Sequence, residues 1–410
     1  MNKVSNKMED RPERLGLRGD RPGIKLLFYS KPFWPMVGGV ETYGRLLMQG
    51  LGMESGYELT VATAALGPFT MPGANVRIVR APSLTQLWRL IRRSDIVMLA
   101  GPVLVPLALG LLARKPVVIE HHGYQACCPN GLLLFEPEQS VCPERFLRGH
   151  VGSCLQCNWN TMGPMHSAAR LAATILRRWM CCYAAANICV SNHVSRRVGL
   201  PKSRVIYHGL PENYDPAPSV PAARNTGPVV FAYVGRIVGE KGLPVLLAAA
   251  SILKKEGREF ALRLIGDGPD RRIIERLAQK LDLTDRLVIT GFLEADALRT
   301  ALIDVRAVVM PSIWEETAGL AALEQMMRGQ TAVVADIGGL SEMVGATGLK
   351  FHPAGIAGLA DRMRQVFDNT NIVKRLTANA GKRAQQLFRQ KQMVAKHIQV
   401  LREVGTHITA

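Results

Sequence analysis

Short apolar runs recur along the chain, each too brief for a helix and separated by longer amphipathic or polar stretches. The runs at 24–30, 59–64, 76–79, 96–100 and 117–120 have the length and near-continuous apolar character of strands buried on both faces. Between the first two, residues 41–53 place apolar side chains at helical spacing. The longest apolar run, 102–113, falls short of the ~20 residues needed to span a bilayer and predicts a buried helix. Residues 124–160 break the rhythm with cysteines, prolines and glycines. A helix is then predicted at about 165–184, with strands at 186–190 and 204–207.

Pro211, Pro216, Pro218, Pro221 and Pro228 mark 211–228 as a linker, after which the alternation restarts. Strands are predicted at 229–234, 261–265, 287–290 and 306–310, with helices from Lys241, from Asp270 and over 294–303. Helices over about 371–404 close the chain, the last (391–410) a candidate to cross back. Such alternation predicts an α/β protein of two Rossmann-like, doubly wound domains, 24–210 and 229–390, facing each other across a cleft. Residues 1–23 are polar and without periodicity, a disordered tail that lacks the apolar core of a secretory signal. A cytoplasmic location is the expectation.

Bulk properties sharpen this picture in two places. The 410 residues exceed one ordinary core, and 48% hydrophobic with 20% charged residues are globular values. Net charge is +18, and no Asp or Glu falls between Arg145 and Pro211, where nine Arg and Lys residues lie. The asymmetry points to phosphate, nucleic acid or acidic lipid as partner. Within it, Arg170, Arg177 and Arg178 sit among Leu171, Ile175, Leu176, Trp179 and Met180. That is either a basic amphipathic helix resting on an anionic membrane or a core helix with a solvated edge.

Candidate chemistry gathers at predicted strand ends. After strand 306–310, Glu316 and Thr317 stand at the mouth of a helix, where free N–H groups favour an anion. Glu324 follows eight residues on, so both carboxylates are expected to point along one wall. Arg236 and Lys241 flank another strand-to-helix turn and suit a diphosphate. Gly38-Gly39 and Gly266-Asp267-Gly268-Pro269 are tight turns at two further strand ends. In the interrupted region, the gap between Cys154 and Cys157 suits one zinc, with Cys128 and Cys142 completing a closed structural site; free thiols are the alternative.

Taken together, Gly235-Arg236…Lys241-Gly242, Gly266–Pro269, Pro311-Ser312…Glu316…Glu324 and Gly338-Gly339…Glu342 closely resemble the retaining glycosyltransferases of family 4. The match runs over most of 229–345 in order and spacing. The first half resembles that family's acceptor domain through Gly38-Gly39-Val40-Glu41, His121-His122-Gly123 and Val190-Ser191, and some of its members have a similar Cys-Pro…Cys-x-x-Cys insertion. The resemblance implies the GT-B fold and a set of roles. Arg236 and Lys241 neutralise the donor diphosphate; Glu324 accepts the ribose hydroxyls. Glu316, with Thr317, Gly319 and Leu320, holds the donor sugar. Gly39 and Gly266 allow close approach, and His122 touches the sugar, His121 being the less favoured neighbour. Ala318 stands where the family usually has an aromatic residue, which leaves the donor sugar open.

The expectation is a membrane-peripheral enzyme that moves a sugar from a nucleoside diphosphate donor to a glycan or lipid-linked acceptor of a surface polysaccharide. No metal is expected in the chemistry, since two cations and a helix N-terminus can carry the charge. A nucleotide-sugar epimerase or phosphorylase would use the same architecture. A zinc-containing nucleic-acid binder fits the charge but lacks aromatic interleaving, so no nucleic-acid partner is expected.

Overall fold

The computed structural model describes residues 23–36, 38–71, 73–211 and 227–406. The tail expected over 1–23 and the linker expected over 211–228 lie almost wholly outside them, as do the last residues of 391–410. The first domain contains β1 (Ile24–Ser30), β2 (Tyr57–Thr63), β3 (Val76–Arg80), β4 (Ile96–Ala100) and β5 (Val117–His121). A short hairpin, β6 (Leu134–Phe135) and β7 (Ser140–Val141), precedes β8 (Ala186–Cys189) and β9 (Ser203–Val205). The second domain has β10 (Val229–Val234), β11 (Phe260–Ile265), β12 (Leu287–Gly291), β13 (Val305–Met310), β14 (Ala332–Ala335) and β15 (Leu349–Phe351).

Two parallel sheets result, in the orders β3-β2-β1-β4-β5-β8-β9 and β12-β11-β10-β13-β14-β15. Every residue of β4, β5, β8 and β14 is buried, as strands covered on both faces require. Side chains alternate accordingly: Leu26 and Phe28 join the core on one face of β1, and Leu27 joins the other. In each sheet the winding reverses between two central strands, β1 and β4 or β10 and β13. Loops at that switch point form the crevice where ligands bind in such folds.

Three local expectations need correction. The helix after β1 begins at Gly39, not Glu41. The one expected from Lys241 is a 3-10 turn, Gly239–Lys241, followed by a helix from Leu243, because Gly242 adopts φ 67° between them. Within the cysteine-rich stretch, Val151–Met162 forms a helix that the periodicity did not announce.

The last helix, Gln390–Thr406, packs on the helix Gly39–Gly52 of the first domain. The approach is close: a Cβ on Gly50 would lie 2.4 Å from Val394 Cγ2. Leu210 N donates to Phe388 O and Gln390 N to Leu210 O, each at 2.8 Å, pairing the outgoing and returning chain. One apolar core therefore runs from Leu26 and Phe28 through Met393 and Leu401 to Val308 and Met310.

Candidate active site

The loops after β10, β11, β13 and β14 are wedged into one another. A Cβ on Gly266 would meet Gly235 O at 1.9 Å, and one on Gly242 would meet Pro311 O at 2.0 Å. Ile237 N donates to Asp267 O (2.9 Å) and Ile313 N to Glu240 O (3.1 Å). Thus the turns carrying Arg236, Lys241, Gly266 and Glu316 form a single rim.

On that rim Lys241 Nζ lies 3.0 Å from Glu316 Oε1, and Ser312 Oγ donates to the same carboxylate oxygen. The Lys241 amine also sits 5.6 Å from the Trp314 ring centre. Arg236 is different: its side chain is 74% exposed, with Glu240 beside it at 3.6 Å. An exposed guanidinium and a paired, mostly buried amine thus share one strand-to-helix turn.

Glu316 does not stand at the helix mouth as expected. The helix is Leu320–Met327, and its N-cap, Gly319, takes φ 63° without any side-chain cap. Glu316 belongs to the preceding loop, so helical spacing does not relate it to Glu324. The start of that helix lies beside the first domain, where a Cβ on Gly39 would lie 3.8 Å from Leu320 Cδ2. Thr317 O accepts Ser191 Oγ across the domains at 2.7 Å. Glu324 lies on the helix, where burial raises its carboxyl to about 7 while Arg328 opposes the shift.

On the first-domain side the two histidines separate. His121 is fully buried, 2.9 Å from Asn187 Oδ1, and burial lowers it to about 4. His122 turns the other way: its Nε2 is 3.2 Å from Glu120 Oε2 and its Nδ1 3.4 Å from His208 Nε2. Glu120 is fully buried, and burial pushes its carboxyl up. Hydrogen bonds from His122 and His397 outweigh that and hold it at about 2. Tyr43 and His397, from the first and last helices, both bond Glu120 Oε1. His208 is lowered to about 3, mainly by burial. Tyr43, Glu120, His208 and His397 were not expected here.

Further contacts join the domains beside the rim. Arg197 reaches Glu315 and Glu144, each at 2.7 Å, and Tyr124 Oη donates to Glu315 O at 2.8 Å. Glu342 accepts the backbone N–H groups of Asn192 and His193 (2.8 Å each) and the Tyr207 hydroxyl (2.9 Å).

Cys128, Cys142, Cys154 and Cys157 line one small pocket with Phe135, Arg145 and Asn158. Glu136 N donates to Cys157 Sγ at 3.4 Å. Burial and the neighbouring thiols push Cys154 to about 12 and Cys157 to about 11, so both hold their protons. Among the described residues no group of three or more His, Cys, Asp or Glu is arranged to hold a metal ion.

These loops in this order, at the switch points of two facing parallel sheets, have a counterpart among known proteins. Residues 219–383 match the family described as glycosyl transferases group 1. The chain is 37% identical over 145 residues to a 2-deoxystreptamine glucosyltransferase of Streptomyces kanamyceticus, covering 35% of this chain and 37% of that protein. It is 34% identical over 189 residues to a glycogen synthase of Mycobacterium tuberculosis, covering 45% and 44%. The chain therefore spans less than half the length of either relative. Its fold is that of the GT-B glycosyltransferases. Anabaena HepE, solved with UDP and glucose, superimposes with a TM-score of 0.69 at 19% identity, over 93% of this chain and all of that one. A lipopolysaccharide outer core galactosyltransferase gives 0.62 at 15% identity, over 90% and 97%.

Proposed function

We propose that this chain transfers a sugar from a nucleoside diphosphate donor to a hydroxyl acceptor, with retention of the anomeric configuration. The observation that carries the reading is the Lys241–Glu316 pair, on the same turn as the exposed Arg236 and on the rim whose helix N-terminus faces Gly39. As the glycosidic bond breaks, charge grows on the departing diphosphate. Arg236, Lys241 and the free N–H groups at the start of Leu320–Met327 stabilise it. Glu324 receives the ribose hydroxyls; Glu316 and the backbone of 317–320 orient the sugar. Ionised Glu120 makes Nε2 the protonated nitrogen of His122 and fixes the ring beside the sugar's expected place. The group 1 match, relatives named as glycosyltransferases and a neighbour holding UDP and glucose support the donor class.

The acceptor in this reading is a glycan or lipid-linked glycan of a surface polysaccharide, met at the inner face of the membrane by a peripheral protein. No helix of the described residues is long and apolar enough to cross a bilayer. No metal enters the chemistry. A structural zinc in the cysteine pocket is a separate proposal: it asks the four sulfurs to turn toward one point and lose their protons, and metal analysis of the purified chain decides it.

Incubation with a panel of labelled nucleotide sugars, with and without EDTA, tests the main reading. Transfer or slow donor hydrolysis that EDTA leaves intact is expected, with the product anomer matching the donor by NMR. Epimerised donor, phosphorolysis, or no turnover of any nucleotide sugar would overturn it.

A further inference from the structure

The loop between β13 and the helix Leu320–Met327 is gripped from two sides. Its own domain holds Glu316: Lys241 and Ser312 reach the carboxylate, and Gly339 N donates to Glu316 O at 2.6 Å. The first domain holds the residues to either side. Tyr124 Oη donates to Glu315 O (2.8 Å) and Ser191 Oγ to Thr317 O (2.7 Å). Ala318 is buried in an apolar cluster of the first domain that includes Tyr124, Leu133 and Cys142, and Trp314 packs against the same cluster.

One side chain joins this grip to the cysteine-rich stretch. Arg197 Nε donates to Glu315 Oε2, Nη1 reaches Glu144 Oε1 and Nη2 donates to Cys142 O, each at 2.7 Å. A planar guanidinium can serve three acceptors in three directions at once, which an amine cannot do with the same fixed geometry. The Arg197 and Glu315 side chains are mostly buried, so salt screens the pair little. Arg197 lies in the last turn of the short helix Asn192–Val198, and Ser191 caps the other end of that helix. The same element therefore presents two groups to the loop, one to its backbone and one to its charge. Cys142 and Glu144 follow the hairpin β6–β7, which sets the interrupted stretch 124–160 behind Arg197.

We propose that Arg197 is a positioning residue for sugar transfer: it fixes Glu315, and with it the loop whose next residues, Glu316 and Thr317, take the donor sugar. Through Glu144 and Cys142 O the same guanidinium makes the cysteine-rich stretch the outer support of that loop. Arg197 reaches the reacting groups only through Glu315, so it places them and takes no part in bond breaking. The proposal rests on the assignment of Glu316 and Thr317 to the sugar given above. The diphosphate is assigned to Arg236, Lys241 and the helix start, so loss of Arg197 bears on the sugar and not on the nucleotide.

Kinetics and hydrogen exchange on the full chain test it, with the nucleotide sugar that the panel turns over and its nucleoside diphosphate as probes. Arg197→Gln and Glu315→Gln should each lower kcat/KM for the nucleotide sugar by about 10- to 100-fold, the size of a misplacement of about an ångström. Inhibition by the nucleoside diphosphate, which has no sugar to place, should stay within about twofold of wild type. The double variant should lose no more than either single one, because both remove the same link. Glu144→Gln, which leaves Glu315 its partner, should act in the same direction and less. Amides of 313–320 should exchange faster in Arg197→Gln, while those of both sheets exchange as in the wild type. Unchanged exchange over 313–320, losses that add in the double variant, or inhibition weakened as much as turnover would overturn the proposal. Faster exchange throughout both sheets would overturn it too, by assigning Arg197 to folding alone. Turnover that the variants leave intact removes this proposal only, whereas no turnover by the wild type removes the donor reading and the positioning role with it.

Discussion

Lys241 Nζ lies 3.0 Å from Glu316 Oε1, so the cation assigned to the diphosphate and the carboxylate assigned to the sugar are one charge pair. Both side chains are mostly buried, and removing either leaves the other's charge without its partner.

Lys241→Met is accordingly expected to lower kcat/KM for transfer by about 10²- to 10³-fold, the size seen when one preorganised transition-state contact is lost. It should also destabilise the fold by about 3 kcal/mol in urea titration. Arg236→Ala, by contrast, removes an exposed side chain with one long contact. Its stability should stay within about 0.5 kcal/mol of wild type while activity falls.

Buried titrating groups fix the sign of the pH dependence between about 5 and 6.3. In the unfolded chain His121 and His208 are largely protonated there, whereas folding holds both neutral, since their values drop to about 4 and 3. Glu324 acts oppositely: raised to about 7, it is protonated in the fold and ionised in the unfolded chain. The unfolded state binds about two more protons at the histidines and one fewer at the glutamate, so stability rises with pH by roughly 1.4 kcal/mol per unit. Glu324→Gln removes the opposing proton. Its urea-derived slope should approach about twice that value.

Glycine substitutions separate folding from access. A Cβ on Gly242, at φ 67°, would overlap Pro311 O, so Gly242→Ala should cost about 2 to 4 kcal/mol. A Cβ on Gly39 meets only Leu320, at 3.8 Å. Gly39→Ala should therefore fold with stability within about 1 kcal/mol of wild type, while donor KM rises.

The sheets were legible because buried parallel strands leave uninterrupted apolar runs: 24–30 and 96–100 coincide with β1 and β4. The second-domain loops were legible as well, since each carries its charges and glycines within a few residues. What escaped depends on neighbours far along the chain. His397 reaches Glu120 across 277 positions, and His208 reaches His122 across 86. No local pattern encodes such contacts. Glu316 was misplaced because helical spacing was extended backward through Gly319, whose left-handed backbone starts the helix four residues later. The partners of Arg177 (Pro102 O and Gln125 O) and of Arg178 (Val198 O and Gly199 O) escaped for a related reason: they are loop carbonyls, and a carbonyl leaves no trace in composition.

The pairing of Leu210 with Phe388 and Gln390 has a mechanical outcome. The chain leaves one lobe and re-enters it through two segments bonded to each other, so any opening of the lobes would bend both at the same place. The helix Gln390–Thr406 would then travel with the first domain, and a fluorophore near Thr406 is expected to report little change against Glu41 and more against Lys280 when the lobes open.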